Sequence, residues 1–273
     1  MGRPKKIKEA TEPTTPQAPP QALELGLPVG VMDYVTFLLQ NQPSGRPIMQ
    51  SSPRGMLLAA EIKDAEEMAR RALTEEDRVQ VQTRAPKVRL LPGEVAELNT
   101  YPTSDGRFYH PAQAFLSSLI DAFWATKAVW PGSKTRESAE KVLIRTARAV
   151  HDQAILFNPD TMKPYRATDN PLGYFVDVRT AVNRNTGDRI IASRPAWKRW
   201  GVLVTMSFDN VTLTKHVLRQ GLQIAGTLVG AGVFRPLPPR NMPPAKQGKG
   251  GPFGTFIADF WDKPIPKDLQ PEI

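Results

Sequence analysis

The order of strand-like and helix-like segments in the last third of the chain restricts the fold more than any other feature of the sequence. Two strands flank the turn "NRNTGD" at 183–188, and "GVLVTMSFD" at 201–209 has the pattern of another strand. A helix is predicted at 214–230, followed by a last strand within "GPFGTFIADFW" at 251–261. The residues of this helix that face inward are Val217, Leu218, Leu222, Ala225 and Leu228. This order predicts an α+β fold.

The middle of the chain supplies the other core elements. Alternating apolar residues predict a strand at 78–91, and a helix follows at 108–130. The inward stripe of that helix consists of Phe115, Leu119, Ile120 and Phe123. A second helix at 135–152 precedes the apolar run "AILFN" at 154–158. We therefore predict a modified ferredoxin-like or RRM-like antiparallel sheet, with helices on one face and a protruding β-hairpin.

The region before the core divides into two parts. Residues 1–28 are rich in proline and poor in apolar side chains, which predicts a disordered basic tail. Within 29–78, helical spacing of apolar residues predicts helices at 31–42 and 53–77, and hence an N-terminal helical arm. This arm packs either on its own core or on a neighbouring subunit. The nucleic-acid-binding domain then spans 79–273.

Charge and composition indicate the class of partner and the compartment. The chain of 273 residues carries 36 Lys and Arg against 27 Asp and Glu, which favours a polyanion such as nucleic acid. It contains no cysteine, which fits a reducing compartment, and no apolar run long enough to span a bilayer. We therefore expect a cytoplasmic protein without a membrane segment.

The hairpin predicted at 174–200 carries many basic residues. Val176, Val178 and Val182 on one arm are expected to face Ile190 and Ile191 on the other. Basic side chains along such an arm can follow a phosphate backbone, while tryptophan rings stack on bases. The alternative is a solvated hairpin whose tryptophans fill the core. The candidate binding residues are Arg179, Arg184, Arg189, Arg194, Trp197, Lys198 and Arg199.

A basic, glycine-rich loop joins the last helix to the last strand. Without a Cβ, glycine allows backbone N–H groups to approach an anion closely, and nearby basic side chains add charge. The loop is not a Walker loop, because it follows a helix and precedes a strand. The alternative is a surface loop whose glycines end the helix and bend the strand. The candidate residues are Gly230, Gly232, Arg235, Arg240, Lys246, Lys249, Gly251 and Gly254.

The ending "AGTLVGAGVFRP…GPFGTFIADF", preceded by "SRPAWKRW", resembles the C-terminal glycine-rich motif of the RAMP superfamily. Within it, the chain is most similar to Cas7-like backbone subunits of CRISPR complexes and to related phage proteins. This resemblance implies a modified RRM fold that coats single-stranded RNA as a row of subunits. It also implies that the hairpin around 179–190 interrupts the bound strand, and that Arg235, Gly251 and Gly254 lie near its backbone.

Catalysis is not expected. His110, His151 and His216 share no metal-ligand spacing with one another or with a carboxylate, and no hydrolase motif is present. We expect no cofactor and no metal. Two alternatives to RNA binding stay open: a phage-type protein that binds or anneals single-stranded DNA, and a structural assembly subunit that binds no nucleic acid.

Overall fold

The fold is α+β, as predicted, with four α-helices and antiparallel sheets among the described residues. The computed structural model describes residues 32–43, 45–52, 91–128, 138–169, 171–182, 189–233, 235–237, 251 and 253–272. Its helices are α1 (Pro92–Leu98), α2 (Ala112–Ala125), α3 (Ala139–Thr146) and α4 (Lys215–Ile224). A π-helical turn, Ala225–Val229, continues α4, and a short 3₁₀ helix spans Lys267–Leu269.

The strands form one large sheet and two smaller ones. In chain order they are β1 (Met32–Gln40), β2 (Ile48–Met49), β3 (Tyr109–Pro111), β4 (Ala147–Ala149), β5 (Gln153–Ile155), β6 (Phe157–Asn158), β7 (Lys163–Pro164), β8 (Phe175–Val182), β9 (Arg189–Trp197), β10 (Gly201–Asp209) and β11 (Ile257–Phe260). The main sheet has the order β11-β1-β10-β6-β7, and β4 also pairs with β10. Strands β2, β9 and β8 form a second sheet, and β3 pairs with β5.

Strand β1 corrects the helix predicted at 31–42. It lies between β10 and β11 and pairs with β10 from Met32↔Asp209 to Gln40↔Gly201. Phe37 and Leu39 are fully buried, whereas Thr36, Leu38 and Gln40, which alternate with them, are only partly buried. A short apolar run fits either period, and here pairing on both edges of the strand decided the outcome.

Helices α2, α3 and α4 pack on one face of the main sheet, whereas α1 packs against β8 and β9. Phe115 and Leu119 of α2 join Leu218 and Leu222 of α4 in a core that also contains Phe37 of β1. The stripes predicted for α2 and α4 are confirmed, with one exception. Leu228 is 49% exposed and Val229 is buried instead, because the π turn, closed by the Gly230 N–H on the Ala225 carbonyl at 2.8 Å, adds a residue to the last turn.

The hairpin of β8 and β9 is confirmed, but its facing residues differ from the prediction. Val176 lies opposite Pro195 and Val178 opposite Ser193, so the valines do not face the isoleucines. Val176 and Val178 are 37% and 51% exposed. The second predicted helix is also shorter than expected, because α3 ends at Thr146 and the next three residues pair with β10 as β4.

Several predictions fall on residues outside those described. They are the tail at 1–28, the helix at 53–77, nearly all of the strand at 78–91, and Arg184, Arg240, Lys246 and Lys249. Of the helices in the described ranges, none combines the length and the hydropathy that crossing a bilayer requires.

Candidate nucleic-acid interface

The described arginines of the hairpin lie against other groups of the protein. Arg179 forms a bidentate pair with Asp177, with Nε–Oδ2 at 2.6 Å and Nη2–Oδ1 at 3.1 Å, and its guanidinium lies 4.4 Å from the ring centre of Phe253. Arg194 lies opposite Asp177 in the ladder, and burial lowers the pKa of Arg194 from its usual value. For Arg189 the structure describes the backbone, in β9, and not the side chain.

Trp197 is not available for stacking on a base, which corrects the prediction for this residue. Its side chain is fully buried, with ring centres 5.5 Å from Phe108 and 5.4 Å from Tyr174. Trp200 is also fully buried and packs against Phe115 and Phe256. Both tryptophans therefore fill the core, which is the alternative that the sequence left open.

Lys198 and Arg199 lie at a corner organised by the buried Asn41. The Asn41 amide donates to the carbonyls of Lys198, at 2.8 Å, and Arg46, and its Oδ1 accepts from the Trp200 N–H at 3.0 Å. Lys198 and Arg46 are exposed. Arg199 instead donates to Asn41 and forms a bidentate pair with Asp160, and this hydrogen bonding lowers the pKa of Asp160.

The glycines of the loop are used for packing. Gly230, Gly232 and Gly254 have φ of 72°, 77° and 70°, a region that favours glycine. A Cβ at Gly254 would overlap the Ala231 carbonyl, and one at Gly232 would overlap that of Met49.

The glycine amides also have partners within the protein. The Gly230 N–H donates to Ala225, that of Gly254 to Pro47, and that of Gly251 to Arg235 at 3.2 Å. These three N–H groups are therefore not directed at an external anion, and close backbone approach accounts for the residue type.

Arg235 is a buried structural residue, which corrects its prediction as a phosphate ligand. Its Nη2 lies 2.7 Å from Oδ2 of Asp121, and the two side chains are 10% and 7% exposed. Its Nη1 also donates to Ser118 Oγ at 3.3 Å, and Ser118 donates in turn to the Gly230 carbonyl. The pair thus fastens the loop to α2.

The hairpin and the loop meet through buried groups. Met49, Ala196 and Phe253 form a small apolar cluster, with Val233 packed against it. Because Ser118 of α2 holds the loop, this junction lies on the helix side of the main sheet. It does not lie on the open face.

The open face of the main sheet carries a row of side chains that the sequence interpretation missed. Tyr34 pairs with Ser207, and Ser207 pairs with Arg148, so the three lie side by side on adjacent strands. Tyr34 is 63% exposed and Arg148 is also exposed. The signal that could have revealed this row is the alternation in "DYVTFLL". Val35 and Phe37 point to one face of the strand, and Tyr34 and the other residues of the open face alternate with them.

The two ends of this open face differ. Next to the row, the hydroxyls of Thr36 and Thr205 are 2.9 Å apart. Beyond them, Leu38 packs in an apolar cluster that includes Leu203 and the C-terminal residues Trp261, Ile265 and Leu269. The C-terminal segment therefore covers one end of the face and leaves the end with Tyr34 open.

A comparison with models of protein families found no match, and a comparison with curated proteins found none either.

The histidines do not form a metal site with other residues of the described ranges, where no group of three His, Asp or Glu side chains is placed to hold an ion. His110 is 3% exposed, and burial lowers its pKa to about 4. His216 packs edge-on against Phe260 at 5.4 Å between ring centres.

Proposed function

We propose that the chain is a non-catalytic protein that binds single-stranded nucleic acid, RNA in preference to DNA, across the open face of its main sheet. The observation that carries this proposal is the row Tyr34, Ser207 and Arg148. An exposed ring on a central strand can stack on a base, and a guanidinium two strands away, about 10 Å, can contact a phosphate.

The arrangement of the main sheet supports a ferredoxin-like, RRM-like fold. Four strands of this sheet are, in chain order, β1, β4, β10 and β11, and their spatial order is β11-β1-β10-β4. The last of the four, β11, therefore lies beside the first, β1, and β1 lies beside the third, β10. Helix α2 lies between β1 and β4 in the chain, and α4 lies between β10 and β11. Folds of this kind use the sheet face opposite their helices to stack bases.

The resemblance of the C-terminal motif to RAMP proteins supports RNA over DNA, and a Cas7-like row of subunits along the strand. The exposed Val176 and Val178 of the hairpin favour a contact with a neighbouring subunit. The absence of cysteine from the sequence supports a cytoplasmic location.

Fluorescence anisotropy with a labelled oligo(U) RNA tests the proposal. Stacking of one base contributes about 1–3 kcal/mol, so Tyr34→Ala should weaken binding about 5- to 150-fold. Arg148→Ala should weaken binding to unrelated sequences about equally and reduce the slope of log affinity against log salt by about 0.7.

Matched variants on the helix side of the sheet test whether a loss of RNA affinity is specific to the open face. Trp124 is 43% exposed on α2, and Lys141 is exposed on α3. Trp124→Ala and Lys141→Ala should therefore retain wild-type affinity. If Tyr34→Ala binds as tightly as Trp124→Ala, the open face is not the binding surface.

Two further measurements decide between the alternatives. Competition between RNA and DNA of equal sequence distinguishes an RNA-binding protein from a DNA-binding or annealing protein. Size-exclusion chromatography with and without nuclease treatment tests the row of subunits. A protein that elutes at one size under both conditions, and binds no oligonucleotide at physiological salt, would be a structural subunit instead.

A further inference from the structure

A cleft of about 510 Å³ lies on the helix side of the main sheet, between β3, α2 and the residues after the π turn. Apolar walls come from Met49, Ile120 and Val233, and the polar residues of the lining are Ser51, Tyr101, His110, Ser117, Asp121 and Arg235. Pockets of this volume that combine apolar walls with polar groups are typical of sites for small molecules.

The hydrogen bonds of Gln50 determine which nitrogen of His110 carries the proton. The Tyr101 N–H donates to Gln50 Oε1 at 3.2 Å, and Gln50 Nε2 donates to the Tyr109 carbonyl at 2.6 Å. The amide orientation is therefore settled, and its Nε2 lies 3.3 Å from His110 Nδ1. Because Nδ1 faces a donor, it must accept, and the proton of the neutral ring lies on Nε2.

This Nε2–H is a buried donor without an acceptor in the described structure. The pKa of about 4 keeps the ring neutral at physiological pH. His110 is one of the residues that line the cleft. Buried donors almost always have a partner, so an orphan beside a cleft indicates an acceptor that comes from a ligand.

The charges of the cleft indicate the class of ligand. Asp121 and Arg235 are paired at 2.7 Å, so a charged ligand would meet a pair that is already neutralised. We propose that the cleft binds a small, uncharged, planar molecule with a carbonyl acceptor, of the cyclic amide or nucleobase class, and that His110 Nε2–H donates to that carbonyl.

This inference does not rest on the proposed strand binding. The cleft is lined by α2 and the loop after the π turn, whereas Tyr34 and Arg148 lie on the opposite face of the sheet. Loss of oligonucleotide binding in Tyr34→Ala and loss of small-molecule binding in a cleft variant are therefore separate results.

The probes are 2-pyridone and uracil, which carry the carbonyl, with toluene as a ring that lacks it and uridine monophosphate as a charged form of the same base. Binding is measured by the chemical shift of the His110 ring nitrogens in long-range ¹H–¹⁵N NMR spectra of the full chain. We expect the two carbonyl probes to shift Nε2 in a saturable way and toluene to leave it unchanged. Stronger binding of uridine monophosphate than of uracil would indicate a phosphate site and would contradict the uncharged class.

Two pairs of variants complete the test. Ala114 lines the cleft on α2, and Gln113 beside it is exposed, so Ala114→Phe should abolish the shift and Gln113→Phe should retain it. His110→Phe keeps a ring but removes the donor, and should weaken 2-pyridone binding about tenfold in a titration followed by calorimetry. If saturating probe leaves Nε2 unchanged, or if toluene binds as well as 2-pyridone, the donor is satisfied by water only and the proposal is wrong.

Discussion

Replacement of Arg235 by alanine should destabilise the fold, whereas the sequence interpretation would have predicted weaker binding. The Arg235 guanidinium lies 2.7 Å from Asp121, and the two side chains are 10% and 7% exposed. Removing one partner of a buried pair leaves the other charge in a medium that solvates it poorly, which typically costs about 3–5 kcal/mol. Arg235→Ala should therefore lower the free energy of unfolding by about that amount.

A double replacement measures how much the intact pair contributes to the free energy of unfolding, apart from the cost of leaving one charge without its partner. Asp121→Leu with Arg235→Met removes both charges and keeps the volume, so its stability should lie within about 1 kcal/mol of wild type or above it. Urea unfolding followed by tryptophan fluorescence measures both variants, with the slope against urea compared to confirm two-state behaviour. Lys198→Ala, at an exposed position, should change stability by less than about 0.5 kcal/mol.

The reasoning fails if Arg235→Ala costs less than about 1 kcal/mol. It also fails if this variant keeps its stability while its affinity for labelled RNA falls. In that case the guanidinium would not be held by Asp121 in solution, and its role as a phosphate ligand would be restored.

Two further predictions concern His110 and the loop glycines. The pKa of His110 is about 4 in the folded state against about 6.5 in the unfolded chain, so the unfolded chain binds the proton first as the pH falls. The free energy of unfolding should therefore decrease by about 3 kcal/mol between about pH 6.5 and pH 4. His110→Phe should flatten that part of a profile of the urea midpoint against pH. Gly254→Ala should cost more than about 2 kcal/mol, because φ is 70° and the new Cβ would overlap the Ala231 carbonyl. Gly93→Ala in α1, where a Cβ meets nothing within 4 Å, is the control and should be neutral or stabilising by up to about 1 kcal/mol in thermal unfolding.

The elements that could be predicted are those whose hydrophobic period is long and unambiguous. Strand β10 begins and ends where the pattern of "GVLVTMSFD" places it, and the hairpin of β8 and β9 flanks the predicted turn. The inward stripe of α2 could also be predicted from the sequence, because Phe115 and Leu119 recur at helical spacing. Strand β1 was not, since nine residues with many apolar side chains satisfy both periods.

The candidate site depended on information that no local pattern contains. Basic residues and glycines are visible in a sequence, but their partners are not: Asp121 is 114 residues from Arg235, and Asp160 is 39 from Arg199. Burial of Trp197 likewise follows from Phe108 and Tyr174, which other segments bring to it. The row of Tyr34, Ser207 and Arg148 exists only because three strands pair in one register.

The sequence by itself determined the class of the fold, the hairpin and the period of the last helix, because these follow from the local order of apolar and polar side chains. Only the tertiary structure decided which cations remain exposed, which glycines serve packing and which face of the sheet stays open. The physical reason is that the charge of a side chain is a property of the residue, whereas its burial and pairing are properties of neighbours that are distant in the chain.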